Sequence, residues 1–410
     1  MSLSTDRSYK MKLRDVENAF KYRRIPYPKR SVELIALLAI SCTFFLFMHT
    51  NKLNSRLKEM EVKLQPSEFS ALGLTGNHIS GHDAGKHDDI NTLHGTYQYL
   101  KSTGQLGTLT AAQLNNTPKA ERDFILFNRL EKVGSQSMTK LLGHLGELHG
   151  FVTYRNEIPP TKKIVYDYEE ERAFAEELLE LEEPSAYVEH TNWINFTEHD
   201  MPRPIYINLV RHPIQKVISA YYYHRHPMIY ANSLLRNPNK PTEKKEFFER
   251  SFNDCVRQRI APECVFDPHL LYNGDWRRFT LHLCGNQNVC TNFNSEMATQ
   301  IAKLHVEKEY AVVGTWEDTN ITLAVLEAYI PRFFADATNQ YYSHKEKFMI
   351  NSTPHDSHLD EDVEAYLKQQ FAYEIELYHF CKQRLYKQYI AIRKQAVQGQ
   401  EQSSAENKQM

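Results

Sequence analysis

The chain has almost no excess of charge: 49 Lys and Arg stand against 51 Asp and Glu over 410 residues, a formal net charge of -2. Without a basic surplus, bulk nucleic-acid binding is not indicated. No GxxxxGK[ST] run occurs, which disfavours an ATP or GTP hydrolase. No CxxC spacing or paired histidine supports a zinc site. No internal repeat is present, and no small-residue cleavage site follows the one long apolar run. What remains is enough apolar sequence, 41%, for one sizeable globular domain with appendages.

The long apolar run is residues 34–48, LIALLAISCTFFLFM, without a charge and flanked by Lys29, Arg30 and Lys52. With its neighbours it predicts a transmembrane signal anchor over 32–50, short enough for thinner membranes of the early secretory pathway. The preceding leader, 1–31, holds nine basic residues against three acidic ones. By the positive-inside rule the leader is a cytosolic tail and the bulk of the chain is luminal, a single-pass type II arrangement. Four acceptor sequons for N-glycosylation, at Asn115, Asn195, Asn320 and Asn351, agree with a luminal site. Cysteine usage agrees as well. Cys255 and Cys264 bracket one short loop, and Cys284 and Cys290 another. Two local disulfides are the natural reading in an oxidising compartment, with zinc the alternative. Cys42 falls in the membrane run and Cys381 is left over.

Residues 51–120 read as a luminal stem. Leu53, Leu57, Met60 and Leu64 make a short coiled-coil seam, which favours an oligomer. From 65 to 118 the sequence is polar and aperiodic, and predicts a linker. His82, Asp83, His87, Asp88 and Asp89 there read as solvated linker rather than a metal site. The globular domain is expected over 121–392, and a disordered tail over 393–410. Strands are predicted at Phe124–Asn128, Ile205–Val210 and 310–314. Helices are predicted at 135–146, 168–181, 214–223, 320–329 and 360–390. Alternation of this kind implies an α/β fold, a parallel sheet flanked by helices.

Two stretches carry chemistry. In FILFNRLEKVGSQSMTKLL, residues 124–142, a buried strand runs into a loop with Lys132, Gly134, Ser135 and Ser137 where a helix begins. Helix amino termini leave N–H groups unsatisfied and favour anions, and glycine lets the backbone approach closely. In YINLVRHPIQKVISAYYY, residues 206–223, a second strand ends in Arg211, and the helix after Pro213 carries Ser219 into its interior. Arginine grips phosphate bidentately. Two anion cradles in one domain point to a ligand with phosphate groups at both ends.

Together the two stretches resemble the phosphate-binding signatures of sulfotransferases that use 3′-phosphoadenosine 5′-phosphosulfate (PAPS). The likeness extends through YVEHTNWINF (187–196), 252–264, 284–290, VGTWED and AYIPRFF (328–334) to the uronyl and heparan-sulfate 2-O-sulfotransferase family. That resemblance implies a P-loop-like sulfotransferase domain behind the anchor and stem. It implies Lys132 on the 5′-phosphosulfate, with Gly134, Ser135 and Ser137 as loop donors. Arg211 and Ser219 would hold the 3′-phosphate, and His190 would be the catalytic base. Arg129, Arg225 and Arg236 would face an acidic glycan acceptor. Disulfides Cys255–Cys264 and Cys284–Cys290, a homotrimer, a Golgi membrane location and no metal are also implied. The chain departs from the family pattern at Glu131, Val133, Val188 and His212. Two rival readings are a catalytically silent glycan- or sulfonucleotide-binding scaffold, and a glycosyltransferase using Asp360-Glu361-Asp362 as a DxD metal motif. Acidic residues at a helix start explain that triplet better.

Overall fold

The carboxyl ends of four strands meet at one edge of the sheet, and that edge carries the chemistry. A computed structural model describes residues 43, 48–50, 91–155, 165–261, 263–266, 278–348 and 358–409. The chain divides into two units, Met1–Phe69 and Ser70–Met410. Only a few helical positions of the first are described. Most of the anchor, the coiled-coil seam, most of the stem and Asn351 therefore lie outside the described residues. No helix among the described residues is long and apolar enough to cross a membrane.

The second unit is built on a five-stranded parallel sheet in the order β2-β3-β1-β4-β5. The strands are β1 Phe124–Asn128, β2 Val152–Tyr154, β3 Ser185–Glu189, β4 Ile205–Val210 and β5 Tyr310–Thr315. β1, β3, β4 and β5 are buried along their whole length, as expected for strands covered on both faces. The apolar runs of β1, β4 and β5 made them legible. β2 has three residues and an exposed Val152, and the shorter apolar content of β3 hid it too. The connection leaving β1 runs toward β2, whereas that leaving β4 runs toward β5. The neighbouring ends of β1 and β4 thus flank a topological switch point, where open α/β sheets place their ligands.

Polar residues inside the apolar runs fasten that edge. Asn208 Nδ2 on β4 donates to the Asn128 carbonyl (2.7 Å) and to its Oδ1 (2.9 Å). The Tyr310 hydroxyl on β5 donates to the same Oδ1 at 3.0 Å. Buried amides are tolerated because each is matched, and here they tie the end of β1 to the middle of β4 and to the start of β5.

Helix α1, Leu93–Ser102, buries Leu93, Tyr97 and Leu100. Asn116 Nδ2 donates to the carbonyls of Glu307 and Tyr310, both at 2.9 Å. The expectation of a linker up to 118 is corrected here: residues from Asn91 onward are folded against the domain. A second correction concerns the carboxyl terminus. The single helix expected over 360–390 is two helices, α9 (Glu361–Gln370) and α10 (Ala372–Gln409). They part at Phe371, which is fully buried against the rings of Phe266 and Phe293. Helix α10 continues to Gln409, where a disordered tail was expected. Lys394 on it donates to the carbonyls of Leu106 and Gly107 at 2.8 Å.

Both disulfides are present, Cys255–Cys264 with Cα atoms 5.8 Å apart and Cys284–Cys290 at 5.6 Å, so zinc at these four cysteines is excluded. Cys381 is a buried free thiol pushed up to about 12 by burial. Asp360 and Asp362 both pair with Arg257 at the start of α9, which removes the metal-motif reading of that triplet. Asn115 and Asn195 are half-buried and accept local backbone hydrogen bonds. Asn320 lies in helix α8, Thr319–Tyr329, and its sequon partner Thr322 is fully buried.

Candidate active site

The loop after β1 turns sharply into helix α2, Ser135–His149. Two reversals on either side of Val133 make the turn: Lys132 has φ 60° and Gly134 φ 86°, both in the left-handed region. Only Gly134 also lacks room. A Cβ built on it would lie 2.8 Å from Trp316 Cβ, so the tryptophan of VGTWED packs directly on the loop. Ser135 Oγ donates to the Leu130 carbonyl at 2.6 Å, and Ser137 is buried one turn into the helix. No acidic residue occupies the first turn of α2, which leaves its positive end available to an anion. Gly134→Ala should therefore lower the melting temperature and weaken anion binding together. The left-handed strain alone costs about 1–2 kcal/mol, and displacement of Trp316 adds to it. Thermal denaturation with and without adenosine 3′,5′-bisphosphate checks both effects.

The Lys132 ammonium lies over the Tyr223 ring, 3.7 Å from its centroid, and makes no ion pair among the described residues. Burial pushes it down to about 8, with Arg211 lowering it further and Glu131 opposing. Glu131, a departure from the family pattern, thus helps keep Lys132 charged. Val133 is fully buried and faces the interior.

Arg211 leaves the end of β4 and donates from Nη1 to the Lys132 carbonyl at 3.2 Å. The two cradles therefore touch. Burial lowers its pKa, and Glu317 is the principal group opposing this. His212 N donates to Glu317 Oε1 at 3.2 Å. Helix α4, Pro213–Arg225, begins at Pro213 itself, the first helical position, where proline fits. Ser219 is buried on it.

His190 follows β3, on the other side of β1. Its Nδ1 lies 3.0 Å from the Arg129 carbonyl. A carbonyl only accepts, so Nδ1 carries the proton and Nε2 carries the lone pair. Burial and then the charge of Arg129 push its pKa down to about 3. The imidazole is neutral at any physiological pH and ready to receive a proton. Arg129 is buried, donates to Gln136 Oε1 at 3.2 Å, and its Nε has no partner. Burial and Arg155 lower its pKa to about 10. An anion beside it would satisfy the guanidinium and relieve the depression of His190.

Arg225 is a correction. It is buried, pairs with Glu263, donates to the Phe247 carbonyl and lies over the rings of Tyr221 and Phe247. It pins α4 to its neighbours and does not face an acceptor. Arg236 is exposed at the end of helix α5, Pro227–Arg236, and the structure does not tie it to the other site residues. The sequence reading missed Glu317, Tyr223 and Trp316. VGTWED was noted, but its packing on Gly134 is visible only in three dimensions.

The edge thus offers a glycine-relieved helix terminus with a lysine, an arginine on the adjacent strand, and a neutral histidine with an accepting Nε2. Those parts can hold an anionic donor and deprotonate a hydroxyl. The chain belongs to the sulfotransferase family, whose model matches residues 117–381. Within it, the chain is 48% identical to the uronyl 2-sulfotransferase homolog pip of Drosophila melanogaster, over 96% of this chain and 95% of that protein. It is 26% identical to the human uronyl 2-sulfotransferase, covering 64% of this chain and 62% of that one. Human heparan sulfate 2-O-sulfotransferase 1 is 27% identical over 62% and 68%.

Proposed function

We propose that the protein transfers a sulfuryl group from PAPS to a hydroxyl, the 2-O position of a uronic acid, on a glycosaminoglycan or glycoprotein glycan. The observation that carries this is the junction of the two cradles with the histidine: Arg211 bonded to the Lys132 carbonyl, and His190 bonded to the Arg129 carbonyl. The donor fits the residues present, since Lys132 and Arg129 are cations that make no ion pair among the described residues and Gly134 opens the helix terminus. Lys132, Gly134, Ser135 and Ser137 would hold its 5′ end, and Arg211 and Ser219 its 3′-phosphate. The donor supplies the sulfuryl group and leaves as adenosine 3′,5′-bisphosphate. His190 Nε2 takes the proton of the acceptor hydroxyl as that oxygen bonds to sulfur. Lys132 offsets the charge that grows on the departing phosphate oxygen. Arg129 faces the acidic acceptor. With Glu131 supporting Lys132 and Val133 turned inward, neither departure favours a silent scaffold. Labelled PAPS and a panel of heparan, dermatan and chondroitin acceptors, followed by disaccharide analysis, test the reading. Label on uronate 2-O is expected; label confined to amino-sugar positions would contradict it.

The same reading places the protein in the Golgi membrane, type II and homotrimeric. Its support is the basic leader, the uncharged run 34–48 and the sequons, and for the oligomer the seam of Leu53, Leu57, Met60 and Leu64. In sealed microsomes, protease is expected to trim only the leader. Digestion of the folded domain without detergent would contradict the topology.

A further inference from the structure

A second imidazole, His282, sits at the same edge with its protonation pattern fixed by a chain of amides. The chain starts at Glu171, whose carboxylate accepts from Asn195 N (3.0 Å), His199 Nε2 (3.3 Å) and Asn286 Nδ2 (2.7 Å). Asn286 therefore turns its Oδ1 the other way, where it accepts from Asn192 Nδ2 at 2.8 Å and from the Tyr166 backbone N–H at 3.2 Å. The backbone donor fixes that amide orientation independently. Asn192 in turn presents its Oδ1 to His282 Nδ1 at 3.0 Å. An amide oxygen only accepts, so His282 carries its proton on Nδ1 and its lone pair on Nε2, the same tautomer as His190.

The backbone of His282 is docked at the site edge. Its carbonyl accepts from Asn128 Nδ2 at the end of β1 (2.9 Å) and from Trp193 N (2.8 Å). Asn192 and Trp193 follow His190 directly in sequence. The residue keeps 8% of its surface exposed and lies within electrostatic range of His190. Burial, then Lys216 on α4, holds its pKa near about 3, so it too is neutral.

We propose that His282 is a second acceptor-binding residue. Its Nε2 receives a hydrogen bond from the hydroxyl neighbouring the one that His190 deprotonates, and Asn192, Asn286 and Glu171 hold that nitrogen in its accepting form. The proposal rests on the functional reading above. It makes His282 a determinant of which sugar unit is used, since the unit must carry a free neighbouring hydroxyl.

The test uses the full chain with heparan and dermatan acceptors. His282→Phe fills the same space without a lone pair. Its KM for the acceptor should rise roughly three- to tenfold, the worth of one neutral hydrogen bond, with adenosine 3′,5′-bisphosphate affinity unchanged. Asn192→Asp places a carboxylate against Nδ1–H and favours the imidazolium. Its acceptor KM should rise as pH falls from 8 to 6, while the parent stays flat. If His282→Phe folds poorly, the Asn192→Asp profile decides, and a flat profile overturns the proposal. An active parent whose His282→Phe variant keeps its acceptor KM also overturns it, leaving the functional reading intact. A parent that sulfates no acceptor contradicts both.

Discussion

His190→Ala is expected to lower sulfate transfer by about 10²–10⁴-fold, the usual worth of a general base, while adenosine 3′,5′-bisphosphate binding and folding persist. The side chain is half-buried, and the hydrogen bond lost, Nδ1 to the Arg129 carbonyl, is local. Arg129 N remains bonded to the Glu189 carbonyl at 2.8 Å, so the strand ends stay joined. A structural histidine would behave otherwise, with lost yield or melting temperature and little change in the rate of the folded fraction. The pH profile adds a second criterion. Because His190 is held near about 3 in the free protein, kcat/KM should show no histidine limb between pH 5 and 8. A variant that folds, binds the cofactor product and transfers sulfate at the parental rate would remove His190 from the mechanism.

Lys132→Ala should reduce both donor affinity and turnover. A charge-assisted hydrogen bond to phosphate contributes about 1.5–3 kcal/mol to binding, so affinity should fall roughly ten- to 150-fold. A further loss in kcat is expected because the same ammonium meets the leaving oxygen, where charge develops. The pH dependence follows from the lowered pKa. Burial holds Lys132 near about 8 in the free protein, and an anion bound beside it raises that value. Binding therefore takes up protons, and affinity should weaken as pH rises through about 8. Lys132→Arg, always charged, should flatten that dependence. Isothermal titration in buffers of different ionisation enthalpy measures the proton uptake; its absence in the parent would contradict the assignment.

Much of the site was legible because its chemistry is local. β1 and β4 are buried on both faces and read as continuous apolar runs, and each hands its basic residue directly to a helix. Lys132, Gly134, Arg211 and Ser219 follow from that pattern within a few residues. What escaped depends on distant partners. Arg225 is one cation among many in the sequence, and its burial depends on Glu263, 38 residues away, and on the ring of Phe247 from another segment. His282 and Asn286 reach Asn192 across separations of 90 and 94 residues. The linker misreading has a similar cause. Residues 91–120 bury few side chains of their own and are ordered by α10 and the segment before β5, as when Arg384 donates to the Leu114 carbonyl. Polarity there reflects a thin layer on a domain rather than a solvated tether.

The central claim is that two cradles on neighbouring strand ends hold opposite ends of one nucleotide. It is tested most directly by binding adenosine 3′,5′-bisphosphate, adenosine 5′-monophosphate and adenosine 3′-monophosphate to the parent, Lys132→Ala and Arg211→Ala. The account predicts that Lys132→Ala weakens only the ligands with a 5′-phosphate and Arg211→Ala only those with a 3′-phosphate. Equal losses for all three ligands in both variants, or no loss in either, would contradict it.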